Sequence, residues 1–130
     1  MNFYKGNFRQ DRENELKDGK NGWIVGRFME HYRHTEKMGV KFWKFFKGEE
    51  KGHSFKYEKE AVECSIIIKG KVRGIVDNRE IIFEEGDYIV IPAKIRSNMI
   101  MEVLEEPVEG FTIKAPSMPI DDSVKLDKKS

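Results

Sequence analysis

The chain of 130 residues has little cysteine, no long apolar run and no excess of charge of one sign. Its one cysteine, Cys64, excludes an intramolecular disulfide and suits a reducing compartment. No apolar run approaches the roughly 18 residues of a membrane span, and the first residues lack the apolar stretch of a signal peptide. We therefore expect a cytoplasmic protein that does not enter a membrane.

Charge is almost balanced, since 24 lysines and arginines stand against 23 aspartates and glutamates. This balance, with no basic block that interleaves aromatic residues, argues against a nucleic-acid partner. The length predicts a single domain with a core large enough to need no disulfide. We divide the chain into a charged N-terminal arm (1–20), a folded part (21–116) and a polar C-terminal tail (117–130) that we expect to be exposed.

Short apolar segments separated by turn signals fill the folded part. We predict strands at 22–29, 40–47, 62–68, 72–76, 80–83, 88–91, 98–104 and 110–114. The turn signals between them include Lys69-Gly70, the hairpin pair Asp77-Asn78, and the run from Glu105 to Pro107. No segment carries a long helical period. The pattern indicates an all-β sandwich or barrel.

The segment 40–47 is aromatic on both faces. Read as a strand, it places Phe42 and Phe46 on one face, and Trp43 and Phe45 on the other. Three of its phenylalanines would also share a helical face, but aromatic enrichment favours the strand. Such a strand needs cover on both faces, from the barrel interior and from a neighbour. We expect that neighbour to be a second subunit.

Two spacings in the chain resemble the two motifs of the cupin superfamily. Six residues separate Glu63 from Gly70, and five separate Gly86 from Pro92. The resemblance extends over about 40–114 and implies a cupin-like jelly-roll β-sandwich or barrel whose mouth holds a ligand. It also implies a homodimer, as is common among small proteins of this family.

The metal-binding histidines of most cupins have no counterpart here. Their motif positions hold Lys56 and Glu58, or Tyr57 and Lys59, for the His-x-His pair, and Ser97 for the last histidine. A first-row divalent metal needs about three or four imidazole or carboxylate ligands. Glu63 alone does not meet that need, and His53 would bring the set only to two. We therefore predict no metal and no other cofactor.

The resemblance directs Glu63 into the barrel, where a carboxylate requires a partner because an uncompensated buried charge is costly. The motifs place Lys56 and Arg96 near it. Two interpretations stay open: a salt bridge that fills an abandoned metal site, or a charged pair that orients a polar ligand such as a sugar or an organic acid. The candidate ligand-binding residues are Lys56, Tyr57, Glu58, Glu63, Arg96, Asn98 and His53.

Other chemically interesting residues have weaker support. His31 and His34 flank an arginine and are typical of a solvated loop rather than a metal or catalytic pair. His53, next to the first motif, is either a general base or an ordinary surface residue. Trp23 and Trp43 are expected in the core or an interface rather than as ligand platforms.

Three functions compete on these grounds. The first is a metal-independent small-molecule-binding protein, whose ligand is a carbohydrate, a nucleotide-sugar or a similar small polar molecule. The second is a metal-independent sugar isomerase or epimerase, which needs an acid and a base facing each other, such as His53 with Tyr57 or Glu63. The third is a metal-dependent cupin dioxygenase, which the missing ligands disfavour. We rank them in this order.

Overall fold

The computed structural model describes residues 3–15, 22–118 and 122–126. These residues form α1 (Phe8–Glu15), β1 (Trp23–Val25), β2 (Gly39–Phe45), β3 (Lys56–Glu58), β4 (Val62–Val76), β5 (Arg79–Glu84), β6 (Tyr88–Ile91), β7 (Ser97–Ala115) and β8 (Ser123–Lys125). Short 3-10 helices occupy His31–Arg33 and Glu49–Gly52. The named strands pair antiparallel, which confirms the all-β prediction. No described helix has the length and apolar character needed to cross a membrane.

Two long strands, β4 and β7, organise the curled sheet. β4 pairs with β5, β6 and β7, and β7 also pairs with β2 and β3. β1 lies beside β2, and β8 lies beside β3. The alternating residues on the inner side of the curl form the core, which includes Ile67, Val72 and Val108. The structure therefore has the barrel architecture that the sequence predicts. Its interior is the inner side of the sheet that β4 and β7 curl around.

The predicted breaks at Lys69-Gly70 and at 105–107 are wrong, because both β4 and β7 continue through them. The register between the strands shifts here, from Lys69 opposite Glu109 to Lys71 opposite Glu105. Gly70 has φ of +83°, and a Cβ on it would meet the carbonyl oxygen of Pro107. These signals mark a bulge, which bends and twists a strand without ending it.

The hairpin turn at Asp77-Asn78 is confirmed. Their φ values of 50° and 64° are both positive, as a two-residue type I′ turn requires. Val76 and Arg79, which flank the turn, pair directly as the last residues of β4 and the first of β5. Asparagine and aspartate tolerate this conformation better than most residues, so the sequence signal has a physical cause.

The outer face of β2 is covered by α1 of the same chain, a cover that the sequence analysis assigned to a second subunit. The Phe8 ring lies 4.7 Å from that of Phe42 and 4.9 Å from that of Phe111, measured between centroids. Arg9 donates a 2.7 Å hydrogen bond to Glu109, whose side chain is buried. The arm is thus helical over 8–15 and packs on the sheet through aromatic rings and one ion pair.

The described part of the C-terminal segment is held against the barrel, which differs from the predicted exposed tail. The Asp122 carboxylate accepts hydrogen bonds from the backbone N–H groups of Glu60 (2.9 Å) and Ala61 (2.8 Å). β8 then pairs along the whole of β3. The composition of the tail is polar, and its Asp122 carboxylate satisfies the turn between β3 and β4 instead of facing water.

Replacing Asp122 with alanine is expected to lower the free energy of unfolding by about 2 kcal/mol, because two hydrogen bonds to a buried carboxylate are lost. Although desolvation, the largest influence, raises the pKa of Asp122, the backbone donors Ala61 and Glu60 and two nearby lysines bring it below 3.8. Its contribution is therefore complete above that pH and is lost as the pH falls further. Urea denaturation measures the change.

The control for this prediction is Glu80→Ala, which removes an exposed carboxylate 3.8 Å from Arg73. Its effect should stay within about 0.5 kcal/mol, since exposed ion pairs contribute little. Asp122→Asn keeps an oxygen acceptor and should fall between the two. If Asp122→Ala were as stable as Glu80→Ala, the role assigned to Asp122 would be contradicted.

Candidate functional site

A cavity of about 160 Å³ lies inside the curled sheet, between β2, β4 and β7. Its wall combines two tryptophans, three lysines, a histidine and a carboxylate with small hydroxyls and apolar side chains. The lining residues are Trp23, Lys41, Trp43, Phe45, His53, Lys56, Glu63, Ser65, Ser97, Met99, Ile100, Thr112 and Lys114. The cavity is thus both aromatic and charged.

Strand periodicity explains why these residues meet. Alternate side chains of a strand share a face, so Lys41, Trp43 and Phe45 of β2 all point inward. β4 contributes Glu63 and Ser65 by the same rule, and both are buried. The partner strand β7 aligns with both, since Thr112 pairs with Lys41 on one side and with Ser65 on the other.

An alternating chain of charges runs along one side of the cavity. Lys56 forms an ion pair with Glu63, and its Nζ also lies 3.6 Å from Oε1 of Glu58. Glu58 in turn pairs with Lys114, which donates a 3.0 Å hydrogen bond to Ser123 of β8. The two carboxylates are only 3% and 5% exposed at the side chain. Each buried carboxylate therefore has a cation, as burial of a charge requires.

The hydrogen bonds around His53 fix its tautomer. The Asn98 amide is oriented by two backbone groups: its Oδ1 accepts from the Ile100 N–H (3.0 Å), and its Nδ2 donates to the His53 carbonyl (3.2 Å). Nδ1 of His53 lies 2.7 Å from that same Oδ1, so it must be the protonated nitrogen and donate. The other nitrogen, Nε2, keeps its lone pair. A neutral imidazole of this kind has the form of a general base.

Burial lowers the pKa of His53 below its ordinary value of 6.5. The Asn98 hydrogen bond opposes this shift, whereas the positive charges of Lys56, Lys41 and Lys125 reinforce it. His53 is therefore neutral at pH 7. The Phe45 ring packs nearly perpendicular to it, at 5.8 Å between centroids and 89° between planes, which helps to hold the imidazole in place.

The lowered pKa of His53 predicts a loss of stability in mild acid. The unfolded chain takes up a proton near pH 6.5 while the folded chain resists it, so the free energy of unfolding falls below that pH. One such group contributes at most about 1.4 kcal/mol per pH unit. Urea denaturation between about pH 7.5 and 5.5 should show a shallower decline for His53→Gln than for the wild type. His31→Gln, at an exposed position, should leave the decline unchanged, and equal slopes for all three would contradict the prediction.

Most hydroxyl and indole polar groups of the wall are bonded to one another. The Trp43 Nε1–H donates to Oγ1 of Thr112 at 2.9 Å, and that oxygen lies 2.8 Å from Oγ of Ser65. Ser65 is 1% exposed, so this contact is deep in the wall. The arrangement fixes the Trp43 indole and leaves its ring as a flat side of the cavity.

The structure brings together some of the predicted site residues and separates others. His53, Lys56 and Glu63 line the cavity, whereas Glu58 and Asn98 lie behind the wall and contact lining residues. Arg96 instead stacks on the Phe55 ring at 3.7 Å and donates to Asn78, and Tyr57 is also outside the lining. Sequence reasoning missed Lys41, Thr112 and Lys114. The polar pair at 112 and 114, in the otherwise apolar predicted strand 110–114, was the available signal.

The two histidines at 31 and 34 belong to the connection between β1 and β2. His31 begins a 3-10 helix and is exposed, and His34 Nδ1 lies 3.1 Å from the Met29 carbonyl. Arg33 between them donates to the carbonyls of Trp23 and Ile24, which anchors the loop to β1.

The donor set does not fit a metal ion. Within the ranges 3–15, 22–118 and 122–126, no three or more His, Cys, Asp or Glu side chains are grouped to bind one. Glu63 is occupied by Lys56, and Nδ1 of His53 is occupied by Asn98. The ammonium of Lys56 stands beside the carboxylate where a cation would sit, so we derive no step through a metal.

Comparisons with known proteins find similarity in fold and none in sequence. No protein-family model matches it, and no curated protein matches it in sequence. Solved structures do match. A Streptomyces PAC13 variant with uridine is 14% identical over 98% of this chain and 93% of that chain, with a TM-score of 0.67.

Two further structures carry a fold name. A cupin protein from Bacteroides fragilis is 16% identical over 67% of this chain and 72% of its own, with a TM-score of 0.54. A cupin with a double-stranded β-helix fold from Methanocaldococcus jannaschii is 21% identical over 64% and 73%, with a TM-score of 0.55. The chain therefore has the double-stranded β-helix fold of the cupins, as its two motif spacings predicted.

Proposed function

We propose that the protein binds a small polar molecule in this cavity without a metal ion. The observation that carries the proposal is the convergence of two indoles, three lysines and a neutral histidine on one cavity. Pockets with aromatic walls and a few placed polar groups are typical ligand sites. At about 160 Å³ the cavity is smaller than the roughly 300–1,000 Å³ of drug-sized sites, which favours a ligand smaller than a whole nucleotide-sugar.

The similarity to Pac13, which is described as a nucleoside dehydratase, supports a ligand with a ring and polar substituents. The PAC13 variant with uridine is similar over nearly the whole of both chains. We use this likeness only to choose compounds. Nucleosides, monosaccharides and small organic acids form the test panel.

The test is a thermal-shift screen of that panel, followed by titration of each hit. Lys41→Met should weaken binding, because Lys41 lines the cavity. Lys44→Met is the matched control, since Lys44 lies on the opposite face of the same strand and contacts Phe46. Equal effects of the two substitutions would place the binding site elsewhere.

A second candidate function is metal-independent proton transfer, of the kind used by isomerases, epimerases and lyases. It is favoured by the fixed tautomer of His53, a lining residue whose Nε2 keeps a lone pair, and by Lys56 in the same wall. A base and an acid on one cavity supply what such a reaction needs. The metal-dependent dioxygenase ranks last because the donor set does not fit a metal.

Proton transfer is testable before the reaction is known. Each compound that binds is incubated with the protein in deuterated water, and NMR follows exchange of its C–H groups. His53→Gln should keep binding and lose exchange by about 10²-fold or more. If the wild type binds a compound without exchanging its C–H groups, the proton-transfer hypothesis is rejected and the binding function remains.

We also propose that the protein is a homodimer through the outer face of β4 and β6. Val62, Tyr88 and Val90 on this face are 45%, 71% and 56% exposed. Cys64 pairs with Val90 and lies half-buried beside them, so the apolar surface is continuous. Contiguous exposed apolar surface of this kind is typical of an interface, whereas the aromatic strand β2 is covered within the chain.

Light scattering after gel filtration tests the dimer. Val90→Asp should shift the protein from a dimer to a monomer, because a charge in an apolar interface is costly. Ile82→Asp is the control, since Ile82 is 44% exposed but lies on β5. A monomeric wild type, or dissociation by both variants, would reject the proposed face.

A further inference from the structure

One hydroxyl in the cavity wall has no hydrogen-bond partner in the part of the chain that the structure describes. Ser97 lines the cavity and is 2% exposed, and its Oγ makes no hydrogen bond to any described residue. In the same wall, Ser65 and Thr112 are bonded to each other, and Trp43 donates to Thr112. Since buried hydroxyls in native proteins almost always have a partner, we expect the partner of Ser97 to come from outside the chain.

The Ser97 Oγ opens into the cavity. Among the described residues, the one fully enclosed side-chain nitrogen or oxygen without a hydrogen bond is Oε1 of Glu58, which lies beside the ammonium groups of Lys114 and Lys56. The Ser97 Oγ therefore keeps accessible surface, and because the residue as a whole is buried, that surface faces the cavity that it lines. A hydroxyl in this position can donate one hydrogen bond and accept another.

The imidazole of His53 adds a hydrogen-bond acceptor on the same side of the cavity. Asn98, which follows Ser97 in β7, lies 2.7 Å from Nδ1 of His53, so the two lining side chains are linked through adjacent residues. Nε2 of His53 keeps its lone pair and makes no hydrogen bond to the described residues. A ligand that satisfies both groups needs an O–H or N–H for Nε2 and an acceptor oxygen for the Ser97 hydroxyl.

The charges of the wall are already engaged. Lys56 is paired with Glu63, Lys114 is paired with Glu58, and Lys41 also has an interaction of its own. A carboxylate on the ligand would compete with Glu63 for Lys56, and a cation would compete with the lysines for the buried carboxylates. Because a buried charge without a partner is costly, an uncharged ligand suits this wall better than an ion does.

We propose that Ser97 is a ligand-binding residue, and that the ligand is an uncharged molecule with an acceptor oxygen at the Ser97 hydroxyl and an O–H or N–H that donates to His53 Nε2. The assignment of Ser97 rests on the proposed binding function and specifies its ligand class. Cyclic amides and alcohols belong to this class. Carboxylates, and ketones without a donor, do not.

Three compounds with six-membered rings test the class. 2-Piperidone has a carbonyl oxygen and an N–H, cyclohexanone has the carbonyl alone, and cyclohexanecarboxylate carries a charge. Both tryptophans of the chain line the cavity, so their indole N–H signals in two-dimensional NMR report occupancy. We expect saturable shifts with 2-piperidone, at a dissociation constant about tenfold below that of cyclohexanone, because cyclohexanone leaves Nε2 unsatisfied. The carboxylate should also bind more weakly than 2-piperidone.

The Ser97→Ala variant separates a ligand-binding hydroxyl from a structural one. It should weaken binding of 2-piperidone by about tenfold, and its midpoint of urea denaturation should match that of the wild type, because no hydrogen bond within the described chain is lost. Ser117→Ala is the matched control, since Ser117 is also buried but lies outside the cavity lining and accepts a 2.9 Å hydrogen bond from the Arg27 N–H. This control should lose stability and keep its affinity for 2-piperidone.

The outcomes distinguish the role of Ser97 from the binding function itself. If Ser97→Ala binds 2-piperidone as tightly as the wild type does, water alone satisfies the hydroxyl and the assignment fails. If the carboxylate binds more tightly than 2-piperidone, the uncharged class is wrong and a ligand cavity is still supported. If none of the three compounds binds saturably, the inference fails, and the thermal-shift panel decides the binding function separately.

Discussion

Replacing Lys56 with methionine is expected to lower the free energy of unfolding by about 3–5 kcal/mol, the usual cost of removing one partner of a buried ion pair. Glu63 is 5% exposed at its side chain and would then be a buried carboxylate without its cation. Glu58 would be less affected by the loss of Lys56, because it keeps its ion pair with Lys114. The effect therefore comes from one orphaned charge, and urea denaturation at neutral pH measures it.

Substitution of the other partner, Glu63→Gln, should lower the free energy of unfolding by clearly less. Lys56 would still lie 3.6 Å from Oε1 of Glu58 and is 18% exposed at its side chain, so its charge keeps a partner and some water. The double variant, with methionine at 56 and glutamine at 63, should recover most of the loss, since it leaves no buried charge unpaired. Equal costs for the two single variants would mean that the carboxylate is not the vulnerable member of the pair.

The same variants decide between the two interpretations of this pair. If the pair only fills a former metal position, Glu63→Gln changes stability and leaves ligand affinity unchanged. If the pair orients the ligand, affinity for the best compound of the panel falls in Glu63→Gln under conditions where the protein is fully folded. Measuring stability and binding on the same samples separates the two.

Much of the fold was accessible from sequence because its turns have specific local chemistry. Asp77-Asn78 predicted the hairpin, and the run from Tyr88 to Ile91 predicted β6 with its bounds. Gly70 and Pro107 were misread because a glycine or a proline marks either a turn or a bulge. Only the pairing of β4 with β7, which places the two irregularities opposite each other, distinguishes these cases.

The site was accessible only in part, for a similar reason. Buried charges need partners, so the motif positions indicated Lys56 and Arg96 as candidate partners of Glu63, and Lys56 forms the pair. Arg96 is also near in the motif, but the Phe55 ring attracts its guanidinium, and sequence does not rank such competing contacts. Lys41 and Lys114 reach the cavity from strands distant in sequence, so their role depends on the sheet order and register.

Replacing Gly110 with alanine is expected to lower the free energy of unfolding by about 3 kcal/mol or more. It should also distort the wall of the cavity. Gly110 lies between β2 and β4, where it pairs with Trp43 on one side and Ile67 on the other. A Cβ at this position would meet the six-membered ring of Trp43, and would lie 2.6 Å from the Ile66 carbonyl oxygen. Overpacking of this kind forces strained side chains or backbone shifts.

The Trp43 indole is restrained and cannot easily move away from that clash. It is 7% exposed, and its Nε1 is held by Thr112, so moving it breaks a hydrogen bond and distorts the wall of the cavity. We therefore expect changed near-ultraviolet circular dichroism and weaker ligand binding along with the lost stability. Gly52→Ala is the control, because nothing lies within 4 Å of a Cβ there, and it should stay within about 0.5 kcal/mol of the wild type. Full stability of Gly110→Ala would show that Trp43 does not pack against this glycine, and the indole wall of the proposed site would then be wrong.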